Sequence, residues 1–189
     1  RGYSSLNKLQ ILVPRQQLDQ AFFSQIIKFF KKLPNVRALR AKFFSPYFEP
    51  FQDPAYQLLA LLRYLPTLQD VNMIIHGGGE MFEVQQKPLG ITPTYLPSLR
   101  KFKLRLSGNL FISSGISLDL NSFIKRQKNL EELNLVLSGV LLEGFVNGIH
   151  EPISQLRKLR QLRLEIPFLD ILNECSQEDL IKAVANLKN

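Results

Sequence analysis

The sequence has few of the residues on which secreted and membrane proteins depend. It contains one cysteine, Cys175, no tryptophan and no Asn-x-Ser/Thr acceptor among its 189 residues, so neither an internal disulfide nor N-glycosylation is expected. Its longest aliphatic run, Leu58 to Leu62, is far shorter than the ~20 residues that cross a bilayer. We therefore expect an intracellular, cytoplasmic protein without a transmembrane helix.

Motifs that carry catalysis are also missing. The sequence has no Walker loop, no Gly-x-Gly-x-x-Gly and no Cys-x-x-Cys. The run that begins at His76 and continues through three glycines is similar to an oxyanion loop, but no Gly-x-Ser-x-Gly elbow accompanies it, so we expect a turn there. His76, His150 and Cys175 share no metal-ligand spacing. We expect no enzymatic activity, no cofactor and no metal site.

Leucine, in contrast, is in excess. The chain has 34 Leu in 189 residues, about twice the share of an ordinary soluble protein. Six segments fit the pattern apolar-x-x-apolar-x-apolar-x-apolar, and their first residues, the anchors, are Leu6, Val36, Leu68, Leu99, Leu130 and Leu159. The anchors are 30, 32, 31, 31 and 29 residues apart, which indicates a repeated structural unit.

Each unit predicts a strand, followed in most units by a helix. The last three apolar positions of a segment alternate with period two, as in a strand with one buried face. Helical spacing follows at 54–64 and at 17–32, where the apolar face consists of Leu18, Phe22, Ile26, Phe29 and Phe30. Glycines and prolines between 77 and 93 predict a loop or a short helix. A capping-box-like start at Ser176 predicts a last helix whose apolar side is Leu180, Ile181 and Val184.

The recurring LxxLxLxL core resembles the leucine-rich repeat family, nearest to its long-unit, ribonuclease-inhibitor-like class, over essentially the whole chain. The family's usual Asn after the strand is missing, since the eighth position past each anchor holds Pro14, Phe44, His76, Ser107, Ser138 and Pro167. The resemblance implies an α/β solenoid with a curved parallel sheet on the concave side and helices on the convex side. It also implies a protein-binding role without chemistry of its own.

We expect residues 1–189 to form a single leucine-rich repeat domain of six units, because no unit buries its apolar stripe without stacked neighbours. The units are about 1–35, 36–67, 68–98, 99–129, 130–158 and 159–189. The chain opens at Arg1 without Met, and its last three residues match those that precede earlier anchors. On this basis we expect it to be part of a longer polypeptide.

Positions two, four and six past each anchor are predicted to face the concave side, opposite the buried positions. Among them are basic residues and apolar residues, the latter being Leu12, Ile74 and Val136. The partner-binding residues that we predict are Arg40, Lys42, Ile74, Lys101, Lys103, Arg105, Val136 and Arg163. The cations would orient an acidic partner, and the apolar residues would anchor it.

Charge is concentrated in the fourth unit, which carries Arg100, Lys101, Lys103 and Arg105 around its strand and further cations at its helix end. Three interpretations remain open: a solvated face, a surface for an acidic protein, and a nucleic-acid surface. We favour a protein-interaction or scaffolding module, a subunit of a larger hetero-complex. The alternatives are a substrate-recognition subunit of a ubiquitin ligase, an RNA-associated protein that uses the basic fourth unit, and a structural component of a large assembly.

Overall fold

The computed structural model describes residues 5–14, 20–45, 59–77, 95–108, 114–138 and 148–165, together with 178, 181–182, 184–185 and 187. The loop predicted between 77 and 93 and the helix start predicted at Ser176 lie outside these residues, apart from Gly77, and so does Cys175. The described strands are β1 (Lys8–Val13), β2 (Ala38–Ser45), β3 (Asp70–Gly77), β4 (Lys101–Gly108), β5 (Glu132–Leu137) and β6 (Gln161–Glu165). The described helices are α1 (Gln20–Phe30), α2 (Ser114–Arg126) and α3 (His150–Ser154), with a 3-10 turn at Leu62–Tyr64.

All six strands form one parallel sheet whose spatial order is their order in the chain. Equivalent positions of neighbouring units are paired, so that Lys8, for example, lies opposite Ala38, which lies opposite Asp70. This register is what a solenoid of stacked equivalent units requires. The α/β leucine-rich repeat architecture predicted from the sequence is confirmed.

One continuous core lies between the sheet and the helices. The inward strand positions of the four central strands are nearly inaccessible to solvent, and the apolar faces of the helices pack in the same cluster. Phe102 of β4 and Phe123 of α2 illustrate the contact, since their ring centroids are 5.0 Å apart. Because the helices cover one face of the sheet, only the strand side chains on the opposite face remain accessible to a partner.

The face that α1 buries agrees with the prediction except at Phe29, among the residues that the structure describes. Phe23 is 5% exposed and Phe30 2%, whereas Phe29, which the sequence pattern placed in the buried face, is 37% exposed. Phe22 and Ile26 pack partly against the core as predicted, and Phe23 and Ile27 join them there. Phe29 lies at the margin of that face.

Three strands are longer than predicted, because the eighth position past the anchor still belongs to the sheet. Phe44 pairs with His76, and His76 pairs with Ser107. The Nδ1 atom of His76 lies 3.0 Å from Oγ of Ser107, and the ring centroids of Phe44 and His76 are 6.0 Å apart. His76 and Ser107 thus extend the sheet, and the prediction that a turn begins at His76 is wrong.

The last helical residues do not bury the apolar side that was predicted for them. Ile181 is 67% exposed and Val184 42%, although Leu187 packs partly against the core. In the described part of the chain, these two side chains are not covered by a neighbouring unit.

Candidate functional site

The concave face of the sheet consists of three rows of side chains that run across the strands. Each row joins equivalent positions of neighbouring units, which the parallel register holds about 4.8 Å apart. The first row is Lys8, Ala38, Asp70, Lys101, Glu132 and Gln161; the second row is Gln10, Arg40, Asn72, Lys103, Asn134 and Arg163. The outer row is Leu12, Lys42, Ile74, Arg105, Val136 and Glu165. All eight predicted partner-binding residues lie in these rows.

Two of the predicted cations are held by one carboxylate. Glu132 of β5 lies 2.5 Å from the Nζ atom of Lys103 and 3.6 Å from that of Lys101, both on β4. The hydrogen bond from Lys103 is the main cause that lowers the pKa of Glu132, and this effect prevails over the burial of the carboxylate, which acts in the opposite direction. The strand of the basic fourth unit is therefore partly neutralised by its neighbour.

A third cation is paired within its own strand. Arg163 of β6 donates hydrogen bonds from Nε and Nη2 to the carboxylate of Glu165, two residues further along. Both side chains are substantially exposed, and such surface pairs contribute little to stability. The charges of Arg163 and Glu165 thus cancel at the β6 end of the second and outer rows.

The cations of β2 and one cation of β4 are not paired in this way. Arg40, Lys42 and Arg105 are exposed, and no carboxylate of the described residues lies within salt-bridge distance of them. Lys42 and Arg105 flank the same residue, Ile74, from the strands on either side. These cations have charge available for a partner.

The apolar members of the outer row are accessible to different extents. Leu12 is 61% exposed, while Ile74 and Val136 are half-buried between longer neighbours. Along the row, Leu12, Ile74 and Val136 alternate with Lys42 and Arg105. When a partner covers such a surface, aliphatic area between the cations becomes buried.

Sequence reasoning placed these side chains on one face but missed how Glu132 redistributes their charge. The signal was present, since Glu132 occupies the first row next to Lys101. Counting charge by unit hid it, because the carboxylate and its cations belong to different units. Charge counted by row across the sheet, rather than by unit along the chain, would have found the pair.

The described residues show no arrangement that points to chemistry. Among them, no three His, Cys, Asp or Glu side chains are grouped so that they could hold a metal ion. Nor is any helix in this part of the chain both long and apolar enough to pass through a bilayer. The concave face is the candidate site considered below.

Comparison with known proteins adds a structural likeness only. No protein-family model matches the chain, and no curated protein matches its sequence. Among solved structures, the chain is similar to the tropomodulin C-terminal domain of Caenorhabditis elegans, with a TM-score of 0.44 and 7% sequence identity over 98% of this chain and 86% of that one. A likeness of this size carries no inference about role, so the assignment to a leucine-rich repeat architecture rests on the repeat and on the register of the sheet.

Proposed function

We propose that the chain is a non-catalytic protein-binding or scaffolding module of a larger intracellular assembly, and that it binds a protein with an acidic surface through its concave face. The observation that supports this most is the outer row. There, the apolar side chains of Leu12, Ile74 and Val136 alternate with Lys42 and Arg105. Apolar anchors that alternate with cations suit an interface with an acidic partner.

The residues of the face would have different tasks. Arg40, Lys42 and Arg105 lie without a carboxylate partner in the described part of the chain, so they would raise the rate of encounter with an acidic protein. Ile74 lies between Lys42 and Arg105 and would lose the remaining solvent on binding. Val136 would extend the apolar contact on the far side of Arg105.

Lys101, Lys103 and Arg163 would act at the rim. Each is already paired with a carboxylate of the chain, so a partner that used them would have to compete with that carboxylate. Their contribution to affinity would be small, but they would help to fix the orientation of the partner.

We also propose that the chain belongs to the long-unit, ribonuclease-inhibitor-like class of leucine-rich repeats. Support comes from the connections between strands, which include helices of 11 residues in α1 and 13 residues in α2. The helix α3 has 5 residues, so the convex side is not uniform. The sign of the charge argues against an inhibitor of basic ribonucleases, because the chain has a net charge of +8.

The experiment is affinity purification of the tagged full-length protein after nuclease treatment, with mass spectrometry of what co-purifies. The test variant combines Lys42→Glu with Arg105→Glu. The control combines Lys28→Glu with Lys32→Glu, which makes the same change in net charge at two exposed residues at the end of α1. We expect the test variant to lose a defined set of proteins at least about tenfold at low salt, and the control to keep it.

If the test variant retains the same set at low salt, the concave face is not the interface. Equal losses in the two variants would also contradict the proposal, since they would report net charge alone. A ubiquitin-ligase role would use the same face, and it would be recognised by ligase components that co-purify with both variants while the substrates are lost only from the test variant.

A further inference from the structure

The edge of the sheet at which the strands begin carries eleven of the 24 Lys and Arg residues of the chain. This basic edge consists of the described segments 31–37, 63–69, 95–100, 125–131 and 154–160, which precede β2 to β6. Its cations are Lys31, Lys32, Arg37, Arg63, Arg100, Lys125, Arg126, Lys128, Arg157, Lys158 and Arg160. Against these eleven cations the segments hold one acidic residue, Glu131, so their net charge is +10. Two of the cations are paired, Arg100 with Glu131 at 3.2 Å and Lys125 with Glu151 at 2.5 Å.

Backbone hydrogen bonds show that these segments lie along one continuous edge. The amide of Arg37 donates to the carbonyl of Asn7 at 2.8 Å, and each following unit repeats the bond at the same position. The ladder runs through Asn7, Arg37, Gln69, Arg100, Glu131 and Arg160, with N–O distances between 2.7 and 2.9 Å. Residues that are about 31 positions apart in sequence are thus brought into one row.

Side chains from neighbouring units hold the loops of the edge together. Thr67 donates from Oγ1 to the carbonyl of Pro34 at 2.9 Å, and Asn129 donates from Nδ2 to that of Pro97 at 2.8 Å. Lys158 in turn donates from Nζ to Oδ1 of Asn129 at 2.7 Å. The edge is therefore preorganised, and a ligand that binds it loses little conformational entropy in the protein.

Helix ends account for only part of this charge. Lys and Arg are favoured where helices end, because they interact with the last carbonyls, and Lys31, Lys125 and Arg126 occupy such positions after or at the ends of α1 and α2. Arg37 and Arg160, in contrast, lie beside the sheet, one residue past the anchors Val36 and Leu159. Their charge stabilises no helix, so folding alone does not explain it.

An aromatic ring lies among these cations with its surface accessible. Tyr95 is 52% exposed and borders a cleft of about 620 Å³, which is also lined by Ser122, Lys125, Arg126 and Lys128. The equivalent residue of the preceding unit, Tyr64, is covered: Lys31 lies 5.3 Å and Arg63 5.0 Å from its ring centroid. No such cation contact with Tyr95 is found in the described part of the chain, which leaves its ring open to a ligand.

We propose that the basic edge binds single-stranded nucleic acid, with the phosphates along the row of cations and a base stacked on Tyr95. A positively charged track combined with an exposed aromatic ring is the combination that single strands require. Six of the eleven cations are Arg, whose planar guanidinium matches phosphate oxygens. An acidic membrane would satisfy the charge but has no planar group for Tyr95, so the ring favours a nucleic acid.

This site is separate from the concave face. The cations of the fourth unit divide between the two surfaces, because Lys101 and Lys103 pair with Glu132 on the sheet, whereas Lys125 and Lys128 line the cleft at the edge. The two proposals rest on different cations, so they can fail independently.

The test measures binding of a labelled oligouridylate of about 12 nucleotides, a length within the range of known single-strand sites, by fluorescence anisotropy at several salt concentrations. The edge variant combines Arg37→Gln, Arg157→Gln and Arg160→Gln, three exposed residues that are not paired with a carboxylate of the described residues. We expect weaker binding and a salt dependence of log K reduced by about 2, because each lost phosphate contact removes about 0.7 from the slope. Tyr95→Ala should weaken binding about tenfold at an unchanged slope, while Tyr95→Phe keeps the affinity within about twofold.

The matched control combines Arg40→Gln, Lys42→Gln and Arg105→Gln, which removes the same charge from the concave face and should leave the slope unchanged. Circular dichroism of all variants checks that they remain folded. Equal losses in the edge and control variants would overturn the proposal, as would a Tyr95→Ala variant that binds like the wild type. Failure to bind the oligouridylate, while vesicles of anionic lipid do bind, would overturn it in favour of a membrane surface.

Discussion

Glu132 on β5 accepts a hydrogen bond from Lys103 on β4, with 2.5 Å between Oε1 and Nζ, while its second oxygen lies 3.6 Å from Lys101. The side chain of Glu132 is only 16% exposed. One carboxylate of the fifth unit is therefore shared by two cations of the fourth. The most basic unit of the sequence consequently presents less free charge on the concave face than its composition indicates.

Because Glu132 is paired with Lys103 and Lys101, we expect the stability of the protein to depend on pH. Lys103 and Lys101 lower the pKa of Glu132 below its ordinary value of 4.5. Since the folded value is depressed, the pair stabilises the protein above the unfolded pKa, and the contribution is lost as the pH falls through the folded value. We expect Glu132→Gln to lower the free energy of unfolding by about 1 kcal/mol at pH 7, as measured by urea denaturation.

The difference between wild type and Glu132→Gln should shrink below about pH 4.5, where the carboxylate begins to protonate in the unfolded state. Urea denaturation at pH 7 and at steps down to about pH 3 would follow this change. A difference that stays constant over the whole range would show that the charge of Glu132 does not contribute, and that the variant acts through packing.

Gln127 has a structural role that the repeat pattern does not reveal, because other units have leucine at this position. It is 1% exposed; its Oε1 accepts a hydrogen bond from the amide of Leu96 at 3.0 Å, and its Nε2 donates to the carbonyl of Phe123 at 2.9 Å. The equivalent residues of other units are leucines, such as Leu33 and Leu65, whose amides donate to carbonyls three residues earlier in the chain. Leu96 instead uses a side chain of the next unit.

We expect Gln127→Leu to destabilise the protein by about 1–3 kcal/mol although it restores the residue type of the repeat, because it leaves the amide of Leu96 buried without an acceptor. Thermal and urea denaturation would measure the loss. Gln69→Leu, at an exposed position, is the control and should change stability by less than about 0.5 kcal/mol. A Gln127→Leu variant as stable as the wild type would contradict this role.

Substitutions of two neighbouring residues of β5 would test which face of the sheet is buried. Leu135 is fully buried, and Val136 is half-buried in the outer row. We expect Leu135→Ala to cost about 2–5 kcal/mol of unfolding free energy and Val136→Ala less than about 1 kcal/mol, since little of the core contacts its side chain. If both substitutions cost the same, the assignment of buried and binding faces along β5 is wrong.

The sequence was sufficient to predict the fold because the same apolar spacing recurs six times. Anchors at intervals of 29 to 32 residues fix where each strand begins, and period-two alternation fixes which side of it is buried, as Leu135 and Val136 show. The ends of strands were less predictable. His76 and Ser107 remain paired in the sheet, and their side chains contact each other across the strands, a contact that no local pattern reveals.

Features that depend on neighbouring units were missed for the same reason. The pairing of Glu132 with Lys103 and the hydrogen bond from Leu96 to Gln127 join residues about 30 positions apart. Among the described residues of α1, Phe29 was misplaced, since a run of aromatic and aliphatic residues fits several helical phases and packing buries Phe23 instead. The basic edge was likewise hidden, because its cations are distributed over five units.

The most direct test of the central claim is site-specific photo-crosslinking in cells. A photoreactive amino acid would replace Leu12 or Ile74 in the outer row, or Phe29 on the exposed margin of α1 as the control. We predict that the concave positions yield the same nuclease-resistant crosslinked protein, and that Phe29 does not. Crosslinks to that protein from Phe29 but from neither concave position would contradict the account.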